Sequence, residues 1–223
     1  MFHVKRISLV IIVSIISLPA FSQGSITFTD KPFHLNGLKD TAVLNPLLRT
    51  EEYIKLSLSE QEVIYWVNYV RSRPKLFLHE VLVPFLKVFP EIRGQYVSSL
   101  EKQLSSIKPS PLLKPSLSLY KVAHQHANDI RKRGGKLTHQ SSQGENFQER
   151  MQRFGYTSCV SENIYQGKED GLFAVILLLI DSGVPDTGHR KNILAPEMRF
   201  IGVSFTPTKK QDQFILVQNF SCN

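Results

Sequence analysis

The sequence predicts an α+β domain with a small antiparallel sheet of about three strands. Three observations carry that reading. Helical periodicity dominates the chain from Ser59 to Arg133. Strand-like and helical segments then alternate. Two β-rich segments, Phe200 to Thr206 and Gln213 to Phe220, close the chain around the polar hairpin-like stretch Pro207 to Asp212. Helices first and strands gathered late describe segregated rather than alternating α and β structure.

The chain starts with an export signal. Lys5 and Arg6 precede the apolar stretch Ile7 to Pro19, and Ala20-Phe21-Ser22 supplies a small-x-small cleavage pattern, so residues 1–22 are expected to be removed before Gln23. Thirteen apolar residues fall short of the roughly 20 that span a bilayer. No Cys follows them to take a lipid. The longest apolar run elsewhere, Leu172 to Ile180, suits a buried helix. The expected mature chain therefore has no transmembrane segment and is secreted or periplasmic. Its 201 residues suffice for one domain, and loss of Lys5 and Arg6 takes the net charge from +8 to +6. The densest basic run, Arg131-Lys132-Arg133 with Lys136, reads as a solvated helix end whose cations complement the helix dipole. It has no interleaved aromatics and no accompanying nucleic-acid motif, so nucleic acid is not an expected partner. The two cysteines, Cys159 and Cys222, are expected to pair in an oxidising compartment, closing a 63-residue loop worth about 4 kcal/mol of chain entropy.

Residues 23–55 show no sustained periodicity and read as an N-terminal arm with little structure of its own, leaving 56–223 as the domain. Ser59 and Glu62 have capping-box spacing, and Val63, Trp66, Val67 and Val70 continue at helical intervals until Pro74 disfavours further helix. Helical stretches follow over Lys75 to Val88 and Gln95 to Ile107, then a proline-punctuated linker from Lys108 to Pro115. Ser116 is a good N-cap for Leu117 to Arg133, which Gly134-Gly135 ends. A short helix is expected over Asn146 to Phe154, and a strand over Val160 to Gln166. Gly171 to Ile180 is apolar all round and so should be a wholly buried helix.

Six local motifs stand in order from His126 onward: HANDI (His126 to Ile130), LTH (Leu137 to His139), FQERMQRFGY (Phe147 to Tyr156), SENIYQG (Ser161 to Gly167), GHRKNIL (Gly188 to Leu194) and IGVSF (Ile201 to Phe205). In this order and spacing the chain resembles the CAP superfamily of cysteine-rich secretory, antigen 5 and pathogenesis-related proteins, in its bacterial form. VNYVRSRP, Val67 to Pro74, extends the likeness faintly toward the first helix. The resemblance implies an α-β-α sandwich with a cleft holding two histidines and two acids, which in some members bind a divalent metal. By motif these are His139, Glu162, Asp181 and His189, with Asn163 and Arg190 lining the cleft. Asp181 stands where the family usually has glutamate, Ser161 replaces the usual glycine before Glu-Asn, and Gly183 to Thr187 adds residues before Gly188. Gly144-Glu145-Asn146 repeats the family tripeptide, but it precedes a helix, so Glu162 takes the cleft role.

Two imidazoles and two carboxylates suit zinc above other divalent metals, and an open position could activate water. His124 and His126, two apart on a helix, face different directions and do not chelate together; His126 is expected to pack with Asp129. Ser141 and Ser142 lack a nucleophile elbow. Arg150 and Arg190 are expected to partner acids, Arg190 beside His189 also being able to touch an anionic ligand, and Asn163 and Asn192 to satisfy backbone groups at the cleft. The expected function is an exported binding or interaction module taking a metal and a small-molecule or lipid ligand, or an envelope or extracellular partner. The alternative is a metal-dependent hydrolase acting on envelope or extracellular polymers, with Glu162 or Asp181 as general base.

Overall fold

The computed structural model describes residues 33, 35, 37 and 39–223. The expected signal peptide, residues 1–22, lies outside the described residues. Helix α1 (Thr41–Leu48) and the single turn α2 (Glu51–Ile54) come first, followed by α3 (Leu58–Ser72). The capping box of α3 is formed by Ser57 and Glu60, two residues earlier than the Ser59–Glu62 pair of equal spacing. Glu60 also accepts from the backbone N–H of Phe205 at 3.1 Å, so the cap joins the helix to the sheet.

Pro74 starts the second helical stretch, one residue before its expected start at Lys75. α4 (Pro74–Phe77), a π-helical turn (Leu78–Leu82) and α5 (Val83–Val88) run on continuously. Pro84 lies at the start of α5 and lacks the N–H that would continue an α ladder, which accounts for a wider turn there. α6 (Gln95–Ser106) and α7 (Leu117–Lys132) match their expected spans closely, with Ser116 capping α7 through the N–H of Leu119 at 3.3 Å. α8 (Phe147–Gln152), α9 (Gly171–Ile180) and α10 (Gly188–Leu194) complete the helices among the described residues.

The sheet has four strands, not three. β2 (Val160–Gly167), β4 (Phe214–Ser221) and β3 (Phe200–Pro207) form the antiparallel part, with β4 central. β1 is the two-residue strand Lys114–Pro115, parallel to β3, and gives the order β1-β3-β4-β2. It was hidden in the proline-rich linker, where a residue without an N–H is tolerated because β1 is an edge strand.

Helix α7 covers one sheet face, with Ala123, Ala127 and Ile130 packed against Ile164, Ile215 and Val217. On the other face α3, α6, α9 and α10 join the larger core with Ile201, Val203, Phe205, Leu216 and Phe220. The result is a three-layer α-β-α sandwich. Gly202 permits the close approach of α7: a Cβ there would lie 2.2 Å from the backbone N of Tyr120.

The expectation of an arm without structure fails over its described part. Phe33, Val43, Leu47 and Tyr53 are all buried in the main core. Asp40 caps α1 through the N–H of Ala42 at 2.7 Å, and its own N–H donates to the Tyr65 hydroxyl at 2.8 Å. Helices of eight and four residues are too short to display a period, and tertiary packing supplies their stability. Cys159 and Cys222 form a disulfide with Cα atoms 5.7 Å apart, tying the start of β2 to the C-terminus beside β4.

Candidate functional site

The site grows from the ends of β2 and α9 and the start of α10. Glu162 is the third residue of β2 and pairs in register with Asn219 of β4. Its side chain, 1 % exposed, meets an array of donors. Arg150, from α8, donates through Nη2 to both carboxylate oxygens at 2.7 and 2.8 Å. His139 Nδ1 lies 2.9 Å from Glu162 Oε1. The Asn219 amide, oriented with its nitrogen toward the acid, donates to Oε2 at 3.2 Å. Arg150 also donates through Nη1 to the His139 carbonyl, so one guanidinium positions both members of the His139–Glu162 pair. A buried carboxylate held this way needs its partners; the Coulomb attraction and hydrogen bonds offset its desolvation.

Asp181 ends α9 in the left-handed conformation, φ 59°, which Asp and Asn tolerate better than larger side chains. That backbone turn aims the short side chain at the first turn of α10. Oδ2 accepts from the N–H groups of His189 and Arg190 at 2.9 and 3.3 Å, and Oδ1 lies 2.7 Å from His189 Nδ1. A carboxylate on the open N–H groups of a helix start is favoured by both hydrogen bonding and the helix dipole. The aspartate therefore serves geometry that a longer glutamate, one methylene further out, would overshoot.

The two His–acid pairs are neighbours joined by amides. Asn163, fully buried on β2, donates to the His189 carbonyl at 3.2 Å and to Gln218 Oε1 at 3.0 Å. Asn192 donates to the Glu162 carbonyl at 3.3 Å and to Asn163 Oδ1 at 2.8 Å. Arg190 turns away from the cleft. It is buried, and its guanidinium donates to the carbonyls of Leu179, Ile180 and Tyr96 and to Ser99 Oγ. It ties the carbonyl end of α9 to α6, and burial pulls its pKa down. Asn163 and Arg190 thus brace the two pairs from behind.

Glu145 stands before α8 and pairs with Arg153 at 3.1 Å, while Asn146 caps that helix in a capping box with Glu149. His126 feels the Asp129 charge, but its hydrogen bond goes elsewhere. Its Nε2 donates to the Thr138 carbonyl at 2.8 Å, and the ring lies 3.9 Å from Glu162 Oε1. Burial holds its pKa down, opposed by the Glu162 charge, and its Nδ1 has no hydrogen-bond partner among the described residues. The periodicity of α7 placed His126 on the apolar face correctly. The nearness to Glu162 depended on the long turn that returns LTH to the helix, which no local pattern reveals.

Metal fit follows from these partners. The carboxylates engage histidine Nδ1 atoms, an arrangement that fixes imidazole orientation around a metal. Glu162 already serves Arg150, and Asp181 already serves two backbone N–H groups, so neither acid is placed as a direct ligand. Among the described residues no three His, Cys, Asp or Glu side chains are gathered as a metal-holding group. The four side chains thus stand as two oriented His–acid pairs rather than as one four-ligand cluster.

A three-layer sandwich with paired histidines and acids at one end of its sheet defines a class of protein, and the sequence comparison agrees. The model of the cysteine-rich secretory protein family, CAP, matches residues 66–220, more than half of the chain, which therefore belongs to that family. No curated protein gives a significant match. Among solved structures, an extracellular SCP-domain protein of Bacillus anthracis is 24% identical, covering 57% of this chain and 38% of its own, with a TM-score of 0.41. An outer surface protein of Borrelia burgdorferi is 21% identical over 61% of this chain and 90% of its own, TM-score 0.42. BmVAL-1 is 16% identical over 75% and 78%, TM-score 0.42. The chain thus spans well under half of the Bacillus protein, and membership rests on the family model.

Proposed function

We propose that this CAP protein is an exported binding module, not an enzyme, whose His139–Glu162 and His189–Asp181 pairs hold a divalent metal, zinc before others, and orient a small or lipidic ligand. The observation that supports it is the engagement of both acids. A general base must be able to reach and accept a proton from a reacting water. Glu162 is enclosed by Arg150 and His139 at 2.7 to 2.9 Å, and Asp181 by the start of α10 at 2.7 to 3.3 Å. Such carboxylates orient imidazoles better than they activate water. The side chain of His139 is 45 % exposed and can meet a ligand, while that of His189 is 11 % exposed and sits deeper. A bound metal would supply Lewis acidity and a fixed positive charge; the chain's own residues supply orientation and a closed polar wall.

Export rests on the N-terminal signal pattern and on the disulfide, which persists in oxidising compartments. The functional test is a peptide and ester hydrolysis panel run with added zinc. No turnover above a His139→Ala control is expected. Turnover that disappears in His139→Ala would replace this reading with the metal-dependent hydrolase.

A further inference from the structure

A second cavity lies away from the histidines, on the arm side of α3. Its volume is about 680 Å³, and it is bounded by the arm, α3, the π-helical turn and the start of α9. One wall is aromatic. Tyr65 and Tyr69 stack with centroids 6.0 Å apart and planes 11° from parallel, and Trp66 stands edge-on to both at 4.9 and 5.7 Å. The rim is acidic: Asp40, Glu62, Glu80, Glu169 and Asp170 line it, against Lys39 as the one base among the described residues that line it. In a chain of net charge +8 this sign is opposite to the surface as a whole.

The carboxylates are held in place. The Tyr69 hydroxyl donates to Glu80 Oε2 at 2.7 Å, and Ser59 Oγ donates to Glu169 Oε1 at 2.7 Å. One cation already uses the wall. Lys39 Nζ lies 5.0 Å from the centroid of the Tyr65 ring and 3.6 Å from Glu62 Oε1. Its side chain is 35 % exposed, so it can swing out without unpacking core.

We propose that this cavity binds an organic ammonium ion, a cationic head on a short apolar body, in competition with Lys39. Ring faces carry negative charge and attract ammonium groups, most strongly in a desolvated setting ringed by acids. The apolar part would rest on Leu76, Val81 and Leu172, which also line the space. Glu62 pairs with Lys39 and Asp40 with Arg73 Nε at 3.4 Å, which leaves Glu80, Glu169 and Asp170 to repel a fatty-acid carboxylate, while a neutral apolar body would strip water from them without return. The site is independent of the histidine pairs.

Trp66 is the only tryptophan of the chain, so its fluorescence reports on the cavity directly. Choline, cadaverine and the neutral choline isostere 3,3-dimethylbutan-1-ol are titrated against the purified protein, with calorimetry on the same samples. Choline alone or cadaverine alone binding tells a quaternary head from a primary amine, and either supports the proposal. The isostere should bind at least tenfold more weakly than the matching cation. Glu80→Gln, which keeps an acceptor for Tyr69, should weaken binding about fivefold, the scale of one exposed cation–π or ion contact. Lys39→Gln should tighten it, and His139→Ala/His189→Ala should leave it unchanged. Equal binding of the isostere, or no saturable signal by either method in a protein that is folded by circular dichroism, would overturn the proposal.

Discussion

Replacing Arg150 by methionine should destabilise the protein by about 3–5 kcal/mol, the range for removing one partner of a buried ion pair. The reasoning is local. Glu162 has a side chain only 1 % exposed, and Arg150 supplies two of its short contacts, at 2.7 and 2.8 Å. Without them the carboxylate keeps His139 Nδ1 at 2.9 Å and the Asn219 amide at 3.2 Å, and its charge remains buried. Methionine conserves the packing volume, so the loss reports electrostatics rather than a cavity. Glu162→Gln alone should cost less than Arg150→Met, because a neutral amide leaves a guanidinium that still donates to the His139 carbonyl. The double variant should be more stable than the sum of the single losses predicts, with a coupling of about 2 kcal/mol or more from the paired charges. Urea denaturation followed by circular dichroism measures all four proteins. Additive losses, or an Arg150→Met cost under about 1 kcal/mol, the value of an exposed pair, would refute the placement of a buried, charged Glu162 at the centre of the site.

Three further outcomes follow from the fold. Gly202→Ala should be among the most destabilising single changes, about 3 kcal/mol or more, since its Cβ would meet helix backbone at 2.2 Å and backbone cannot swing aside as a side chain can; a thermal melt within a degree or two of the parent would contradict that packing. Reduction of Cys159–Cys222 should cost about 4 kcal/mol by the chain-entropy estimate for a separation of 63 residues, seen as a lower urea midpoint with dithiothreitol than without. At high pH, burial raises the Tyr53 pKa to about 12 and lifts Tyr65, Tyr69, Tyr120 and Tyr165 as well, five of the seven tyrosines. A raised folded-state pKa contributes stability fully present below pH 10 and lost, for Tyr53, as pH climbs from there through about 12, so these five should ionise at higher pH in the folded chain than in the unfolded one. A rise at 295 nm for these five at the same pH as in urea-unfolded protein would show those hydroxyls to be exposed.

Much of this architecture was legible from the chain. Helix α9 spans Gly171–Ile180 as its all-apolar composition demands, and α7 buries Leu119, Val122, Ala123, His126, Ala127 and Ile130, the residues its period puts on one side. Strands β2, β3 and β4 carry the three runs of β-forming residues. What failed was short or long-range. α1 and α2 have too few residues to repeat, and β1 exists only because Lys114 and Pro115 meet Phe200 and Ile201 across the sheet. At the site, the family resemblance named His139, Glu162, Asp181 and His189 as one set, which the structure divides into two His–acid pairs, and Arg150 was expected beside an acid. The choice of partners was not readable: that Asp181 would turn back onto α10 depends on a left-handed residue at the end of α9, and that Arg190 would face helix carbonyls depends on α6 lying beneath it. Arg71 carried no signal, yet it is buried and donates to the carbonyls of Ile193, Ala195 and Met198, holding the end of α10 against the strand that follows.

We propose that His139 and His189, each oriented by its acid, bind zinc together. Zinc titration calorimetry on residues 23–223, beside the His139→Ala/His189→Ala double variant, tests it most directly. Binding of about one equivalent at micromolar or tighter affinity is expected, abolished in the variant while its circular dichroism is unchanged. A wild-type protein that takes up no zinc, or a double variant that binds it equally well, would contradict the claim and leave the two pairs as polar scaffolding.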